Sequence, residues 1–116
     1  MKSNAKKTVA NIIPCLRYHD APAAIAWLCD AFGFEANLVV PGEDNSIAHA
    51  QLRFGSGMVM LGSARDDEIG KMMKPPLDVG GIGTQSPYVV VKDADLHYAR
   101  AKAAGAQIVM EIKSED

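Results

Sequence analysis

Three polar side chains that can bind ligands or react stand at alternate positions of one short stretch: His49, Gln51 and Arg53. An imidazole in a groove can bind a ligand or act as a base, although a strand histidine with an ordinary partner on a half-wet face is the more frequent case. The residues between them are small or apolar: Ala48, Ala50, Leu52 and Phe54. This period of two is typical of a strand with one buried face. We therefore expect the polar set, with Ile47, to line a groove while the apolar set packs beneath helices.

Two arginines offer a second kind of chemistry. Guanidinium groups suit carboxylates and phosphates, so Arg17 and Arg53 could together hold an anionic ligand. The equally weighted alternative is that they pair with Glu43, Asp44 or solvent.

The cysteines and the remaining histidines have more ordinary interpretations. Cys15 and Cys29 match no metal-site or CxxC spacing, so we expect both to be reduced and packed. His19, just before a helix, and His97, on the outer part of another, are predicted to be surface residues.

The first half of the chain is predicted to form a strand, a helix and three further strands. Asp20 is a good N-cap for the helix, Pro22 fits its first turn, and Gly33 is a plausible end. One apolar helix face is formed by Ile25, Leu28, Cys29 and Phe32. The predicted strands are Val9–Tyr18, Phe34–Pro41, Ser46–Phe54 and Met58–Gly62.

The second half begins with a long connection, residues 63–84, rich in glycine and proline. Long connections in compact domains are usually functional or mobile, so we predict the most mobile internal segment here, with one helical turn at 71–73 at most. A strand Ser86–Lys92, an Asp93-capped helix Ala94–Ala104 and a strand Ala106–Ile112 should follow.

The two halves are related by a repeat. Pro14-x5-Asp20-Ala recurs as Pro87-x5-Asp93-Ala, and each Asp caps a helix that a glycine ends. The repeat favours duplication of one unit, with the second copy lacking its last two strands.

Bulk properties narrow the class of protein. A chain of 116 residues is one domain by size, residues 1–116, and 48% hydrophobic with 22% charged residues is ordinary for a globular protein. A net charge of -2 with no basic stripe argues against nucleic acid as a partner. The sequence shows no secretory h-region and no apolar run of about 20 residues, so it predicts a cytoplasmic protein without a membrane partner.

The sequence resembles the first module of the glyoxalase/bleomycin-resistance/extradiol-dioxygenase (vicinal oxygen chelate) superfamily. The resemblance rests on residues 13–20, 24–28, 32–35, 47–55 and 58–62, and Tyr88–Glu111 is similar to the opening of the second module. It implies an α+β fold in which paired βαβββ modules form a half-open barrel with outer helices, the second module being truncated to βαβ (module one about 9–62, partial module two 85–112). The implied concave groove would include Ile13, Cys15, Arg17, His49, Gln51 and Arg53.

The resemblance also indicates where a metal would bind. Three of the superfamily's ligand positions fall on Ile13, Gln51 and Pro87, and the fourth lies beyond Asp116. Isoleucine and proline have no donor side chain, and a lone glutamine amide is a weak ligand for transition metals. We therefore predict no metal and no cofactor.

Two functions remain open. The first is metal-free binding of a small organic molecule; the alternative is a metal-dependent lyase, isomerase or dioxygenase with non-standard ligands, for example His49. The ligand, and any catalytic residue, cannot be identified from the sequence. Because Ala106–Ile112 would be an unpaired edge strand, we expect a homodimer with the groove near its interface. The alternative is that the sequence is a piece of a longer protein.

Overall fold

The computed structural model describes residues 9–114 as one open sheet with the first helix packed on one face. Its elements, in chain order, are β1 Cys15–Tyr18, α1 Ala21–Phe32, β2 Glu35–Pro41, β3 Ile47–Phe54, β4 Gly57–Ser63, α2 Glu68–Met72, a 3-10 helix Pro76–Val79, and α3 Ala94–Ala103. The α+β class and the βαβββ order of the first half are confirmed.

The four strands lie in the order β1-β4-β3-β2. β2, β3 and β4 form an antiparallel meander, and β1 pairs with β4 in parallel, with Cys15 opposite Met60. A parallel pair needs a crossover, and α1 begins that crossover on one face of the sheet. β1 and β2 are therefore the two edges.

Helix α1 begins and ends where the sequence predicts. The Asp20 carboxylate accepts a hydrogen bond from the backbone N–H of Ala23 at 3.1 Å, and Gly33 ends the helix in the left-handed region with φ 80°. The helix packs against the sheet over a core that is apolar throughout. Its fully or nearly buried members are Ala21, Leu28, Phe34, Ile47, Ala50, Leu52, Val59 and Leu61.

Helix α3 packs on α1 rather than on the sheet. Arg100 reaches the C-terminal end of α1, where its Nε donates to the Asp30 carbonyl at 2.8 Å and its Nη2 to the Cys29 carbonyl at 3.2 Å. From the other side, the indole N–H of Trp27 donates to the Ala104 carbonyl at 2.7 Å. Because the last carbonyls of a helix lack partners within it, these contacts both satisfy α1 and fix α3.

Both strands predicted for the second half are wrong. Residues 86–92 and 106–112 form no ladder within the part of the chain that the structure describes, and the second of these segments bends at 109–110. A strand requires a neighbour to accept and donate its backbone hydrogen bonds, and among the described residues neither segment is paired with one.

The first strand is shorter than predicted, for a related reason. Its ladder with β4 begins at Cys15, so residues 9–14 are outside the sheet, although the Pro14 carbonyl still accepts from the Met60 N–H at 2.9 Å. The connection 63–84 contains α2 and the 3-10 helix but no longer regular element. Its mobility stays a prediction. Within residues 9–114, none of the helices combines the length and apolar character needed to cross a bilayer.

Candidate binding groove

The face of the sheet opposite α1 carries most of the candidate residues. Gln51 on β3 lies opposite Met60 on β4, which lies opposite Cys15 on β1. Since directly opposed residues project to the same side, these three side chains form a row across the sheet. Parallel rows on either side contain Arg17 at one end and Arg53 at the other. We call this surface the groove face.

The alternation predicted for β3 holds from His49 onward and fails before it. Ile47 is buried in the core under α1, whereas Ala48 is exposed, the reverse of the expectation. The pairing of β2 with β3 is irregular here, because Val40 lies opposite His49 but the next residue, Pro41, lies opposite Ile47. This extra residue in β3 exchanges the two faces at its start.

His49 and Gln51 are joined on the groove face. The His49 Nε2 lies 3.0 Å from the Gln51 Oε1, and the Gln51 amide nitrogen donates to the Met58 sulfur at 3.5 Å. With the glutamine oriented in this way, its oxygen accepts and the His49 Nε2 carries the hydrogen. In that tautomer Nδ1 is the acceptor of the ring. All three side chains are at least half-buried.

Arg17 is only partly satisfied by the protein. Its Nη1 donates to the Ser63 carbonyl at 3.3 Å, while its Nε is buried and has no hydrogen-bond partner among the described residues. The guanidinium lies against Gly62, where a β-carbon would collide with Nη1.

Among residues 9–114, neither arginine has a carboxylate partner. In the described part of the chain, neither Arg17 nor Arg53 lies within ion-pair distance of an acidic side chain, so pairing with Glu43 or Asp44 is not formed. Four residues along the strands and two strands across separate their positions, which amounts to about 13 Å and about 10 Å. The two guanidinium groups therefore mark opposite ends of the groove face.

The cysteines differ from each other. Cys29 packs against the core as predicted, but Cys15 is exposed, and its thiol has only a long contact of 3.8 Å with the Ile13 carbonyl. The prediction that Cys15 is packed is wrong, because Cys15 lies at the start of an edge strand, where its side chain stays exposed. Ile13 itself is half-buried.

The two outlying histidines also differ. His19 is on the surface as predicted, with its Nε2 2.7 Å from the Asp78 carboxylate of the 3-10 helix. His97 is half-buried rather than exposed: its ring stacks on Phe32 with centroids 5.6 Å apart and meets the edge of Phe54 at 6.2 Å. The docking of α3 on α1 buries this side of α3, and a single sequence gives no signal for that docking.

The ligand positions implied by the resemblance do not form a metal centre. Ile13 and Pro87 provide no donor atom, and the Gln51 amide oxygen already accepts from His49. Across residues 9–114, no three histidine, cysteine or acidic side chains come together in a way that could hold an ion. A chemically suitable donor set for a transition metal is thus not assembled by these residues.

A cavity beside the β1 edge was not predicted from the sequence. It has a volume of about 370 Å³ and lies between β1 and the connecting segment, where Arg17 and Tyr18 face Met73 and Lys74. Burial raises the pKa of the Tyr18 phenol above its usual value. Sequence patterns do not reveal this cavity, because it depends on how an irregular connection folds back.

The chain matches one protein family and is similar to several individual proteins. Residues 9–116 match the family model of the Glyoxalase/Bleomycin resistance protein/Dioxygenase superfamily. An uncharacterized protein of Mycobacterium bovis is 31% identical over 109 residues, covering 90% of this chain and 71% of its own length. Uncharacterized proteins of two Mycobacterium tuberculosis strains show the same identity over 90% of this chain and 64% of theirs. The crystal structure of TioX from Micromonospora sp. ML1 is similar, with a TM-score of 0.63 and 27% identity over 91% of this chain and 80% of that one.

Proposed function

We propose that this chain, which belongs to the Glyoxalase/Bleomycin resistance protein/Dioxygenase superfamily, binds a small organic molecule on its groove face without a metal ion. The observation that carries the proposal is the 3.0 Å contact between His49 and Gln51. This contact occupies the amide oxygen of Gln51. Of the three metal-ligand positions that the resemblance implies within this sequence, Gln51 is the one whose side chain has a donor atom. The imidazole and amide are thereby pre-positioned as hydrogen-bonding groups for an organic ligand.

The composition of the groove face supports this function. Small-molecule sites are mostly apolar, with a few polar groups that fix orientation. Here the Nδ1 of His49 can accept, Arg17 and Arg53 can donate, and Met58 and Met60 offer a flexible apolar floor. These groups suit recognition of a molecule with both apolar and hydrogen-bonding parts.

We also propose that two chains associate. Segments 86–92 and 106–112 have large apolar side chains with little cover, including Tyr88 at 93% exposure and Val109 at 83%. Exposed apolar surface of this kind commonly marks an interaction site. Light scattering coupled to size exclusion across a dilution series should give a dimer, and the dimer should bury more than about 1,000 Å². A monomer of 12.4 kDa at every concentration would contradict it.

Binding is tested with a library of small aromatic and heterocyclic compounds, followed by amide chemical shifts of the labelled protein. Compounds that bind should shift the amide signals of β3 and β4. Gln51→Leu should weaken their binding, because it removes the oxygen that orients His49. Gln107→Leu, at an exposed glutamine off the sheet, is the matched control and should leave binding unchanged. Hits that map away from the groove face, or that are insensitive to Gln51→Leu, would refute the proposal.

A further inference from the structure

We infer that the Arg17 end of the groove face is a carboxylate site, so that the molecule bound there has a carboxylate at one end and an apolar body. This inference rests on the proposed small-molecule function and names the chemical class of the ligand. It concerns the cavity of about 370 Å³ between β1 and the connecting segment, a size within the usual range for ligand sites.

The charges around this cavity are all of one sign. Arg17 and Lys74 line it, and no aspartate or glutamate does. The acidic residue of the adjacent 3-10 helix, Asp78, is engaged by His19 at 2.7 Å. A cavity with two cations and no carboxylate of its own has a positive potential, which favours an anionic ligand.

The Arg17 guanidinium has an N–H donor that no described residue accepts. Nη1 is bound to the Ser63 carbonyl, but Nε is buried without a partner among the described residues. Leaving a buried charged donor unsatisfied is unfavourable, and a ligand oxygen would satisfy it. A guanidinium matches a carboxylate best, because two parallel N–H groups can meet its two oxygens.

The backbone holds the guanidinium in place. Gly62, directly opposite Arg17 on β4, has no side chain, and the guanidinium lies in the space that a β-carbon would fill. The Ser63 contact fixes one end of the fork, so the arginine is positioned before a ligand arrives. A positioned arginine loses less side-chain entropy on binding than a free one.

The other lining residues define the rest of the ligand. Met73, Val79 and Ile82 face the cavity from the connecting segment, and Val79 and Ile82 are 53% and 69% exposed. An alkyl or aryl body lying on these side chains would cover them. The cavity therefore suits an amphipathic carboxylate better than a small inorganic anion.

The test compares a carboxylate with its neutral counterpart, 4-phenylbutyrate against 4-phenylbutyramide, by titration of the labelled protein. We expect the carboxylate to bind at least about tenfold more tightly, as one charge-assisted hydrogen bond allows. The Arg17 Nε–H and the amides of Gly62 and Ser63 should shift. Arg17→Gln should remove the preference, whereas Lys92→Gln, which removes one positive charge at an exposed position outside the groove face and outside this cavity, should keep it.

Gly62→Ala provides a second variant that preserves every charge. It should displace the guanidinium and reduce the preference. Equal binding of acid and amide, or equal losses in the Arg17 and Lys92 variants, would overturn the carboxylate site. Either result would leave the proposed function standing if library hits still map to β3 and β4. Absence of shifts from both probes would also overturn the carboxylate site.

Discussion

The packing of α3 on α1 depends strongly on the Arg100 side chain. The variant Arg100→Met should measure how much this side chain contributes to the stability of the fold. Met keeps most of the aliphatic stem and loses two hydrogen bonds to the Asp30 and Cys29 carbonyls. The Cys29 carbonyl still accepts from the Gly33 N–H at 3.1 Å, so only the Asp30 carbonyl is left without a partner among the described residues, at an exposed position that water can reach. The loss is therefore closer to one charged hydrogen bond at an exposed site than to two buried ones.

The expected loss of stability follows from these lost hydrogen bonds. A hydrogen bond to a charged group contributes about 1.5–3 kcal/mol, exposure reduces this, and the lost charge at a helix C-terminus adds about 0.3–1 kcal/mol. We expect Arg100→Met to lower the free energy of unfolding by about 1–2 kcal/mol. Urea denaturation measures it, and hydrogen exchange should show faster exchange in α3 than in β3.

Lys102→Met is the matched control for Arg100→Met. It removes the same charge two residues away, where the ammonium contacts only Tyr98, through its hydroxyl at 3.4 Å and its ring at 5.5 Å. Its cost should be within about 0.5 kcal/mol. If the two variants lose equal stability, or if α3 exchanges no faster in Arg100→Met, the proposed role of Arg100 is wrong.

Three further predictions follow from burial. Leu52→Ala should lower the free energy of unfolding by about 3 kcal/mol because Leu52 is fully buried under α1, while Val39→Ala at a 41% exposed edge position should cost far less in the same urea titration. Burial raises the pKa of Tyr18 above 10.0, so the folded state keeps a proton that the unfolded state loses; stability should fall as pH rises past that value, and the fall should be smaller in Tyr18→Phe. Cys15 should react with a maleimide in the folded protein and Cys29 only slowly; a slow native reaction that Cys15→Ser does not change would contradict the exposure of Cys15.

The first half of the fold could be predicted because its signals are local. The Asp20 cap, the Gly33 end and the period of two from His49 to Phe54 each follow from neighbouring residues, and each is confirmed. The start of β3 could not be predicted in the same way. The irregular pairing of Val40 and Pro41 with β3 depends on the partner strand and reverses Ile47 and Ala48.

In the second half the predicted Asp93-capped helix is confirmed, whereas the two predicted strands are wrong because strands depend on long-range partners. Segment 86–92 has the apolar composition of a strand, but a strand forms only beside another. His97 was assigned to the surface because nothing in α3 alone indicates that Phe32 and Phe54 will cover it. The candidate groove residues were chosen from one face of two strands, and the register brings Cys15, Arg17, Gln51 and Arg53 to one face. The unsatisfied Nε of Arg17 could be seen only in three dimensions.

The most direct test of metal-free binding is one titration performed twice. A library hit that shifts the β3 and β4 amides is titrated into the purified protein with and without EDTA, while the His49 ring signals are followed. Because the Gln51 oxygen is held by His49 rather than free for a metal, the affinity and the shifted amides should be the same in both titrations. Binding that disappears with EDTA and returns on addition of Zn, Ni or Mn would contradict metal-free binding.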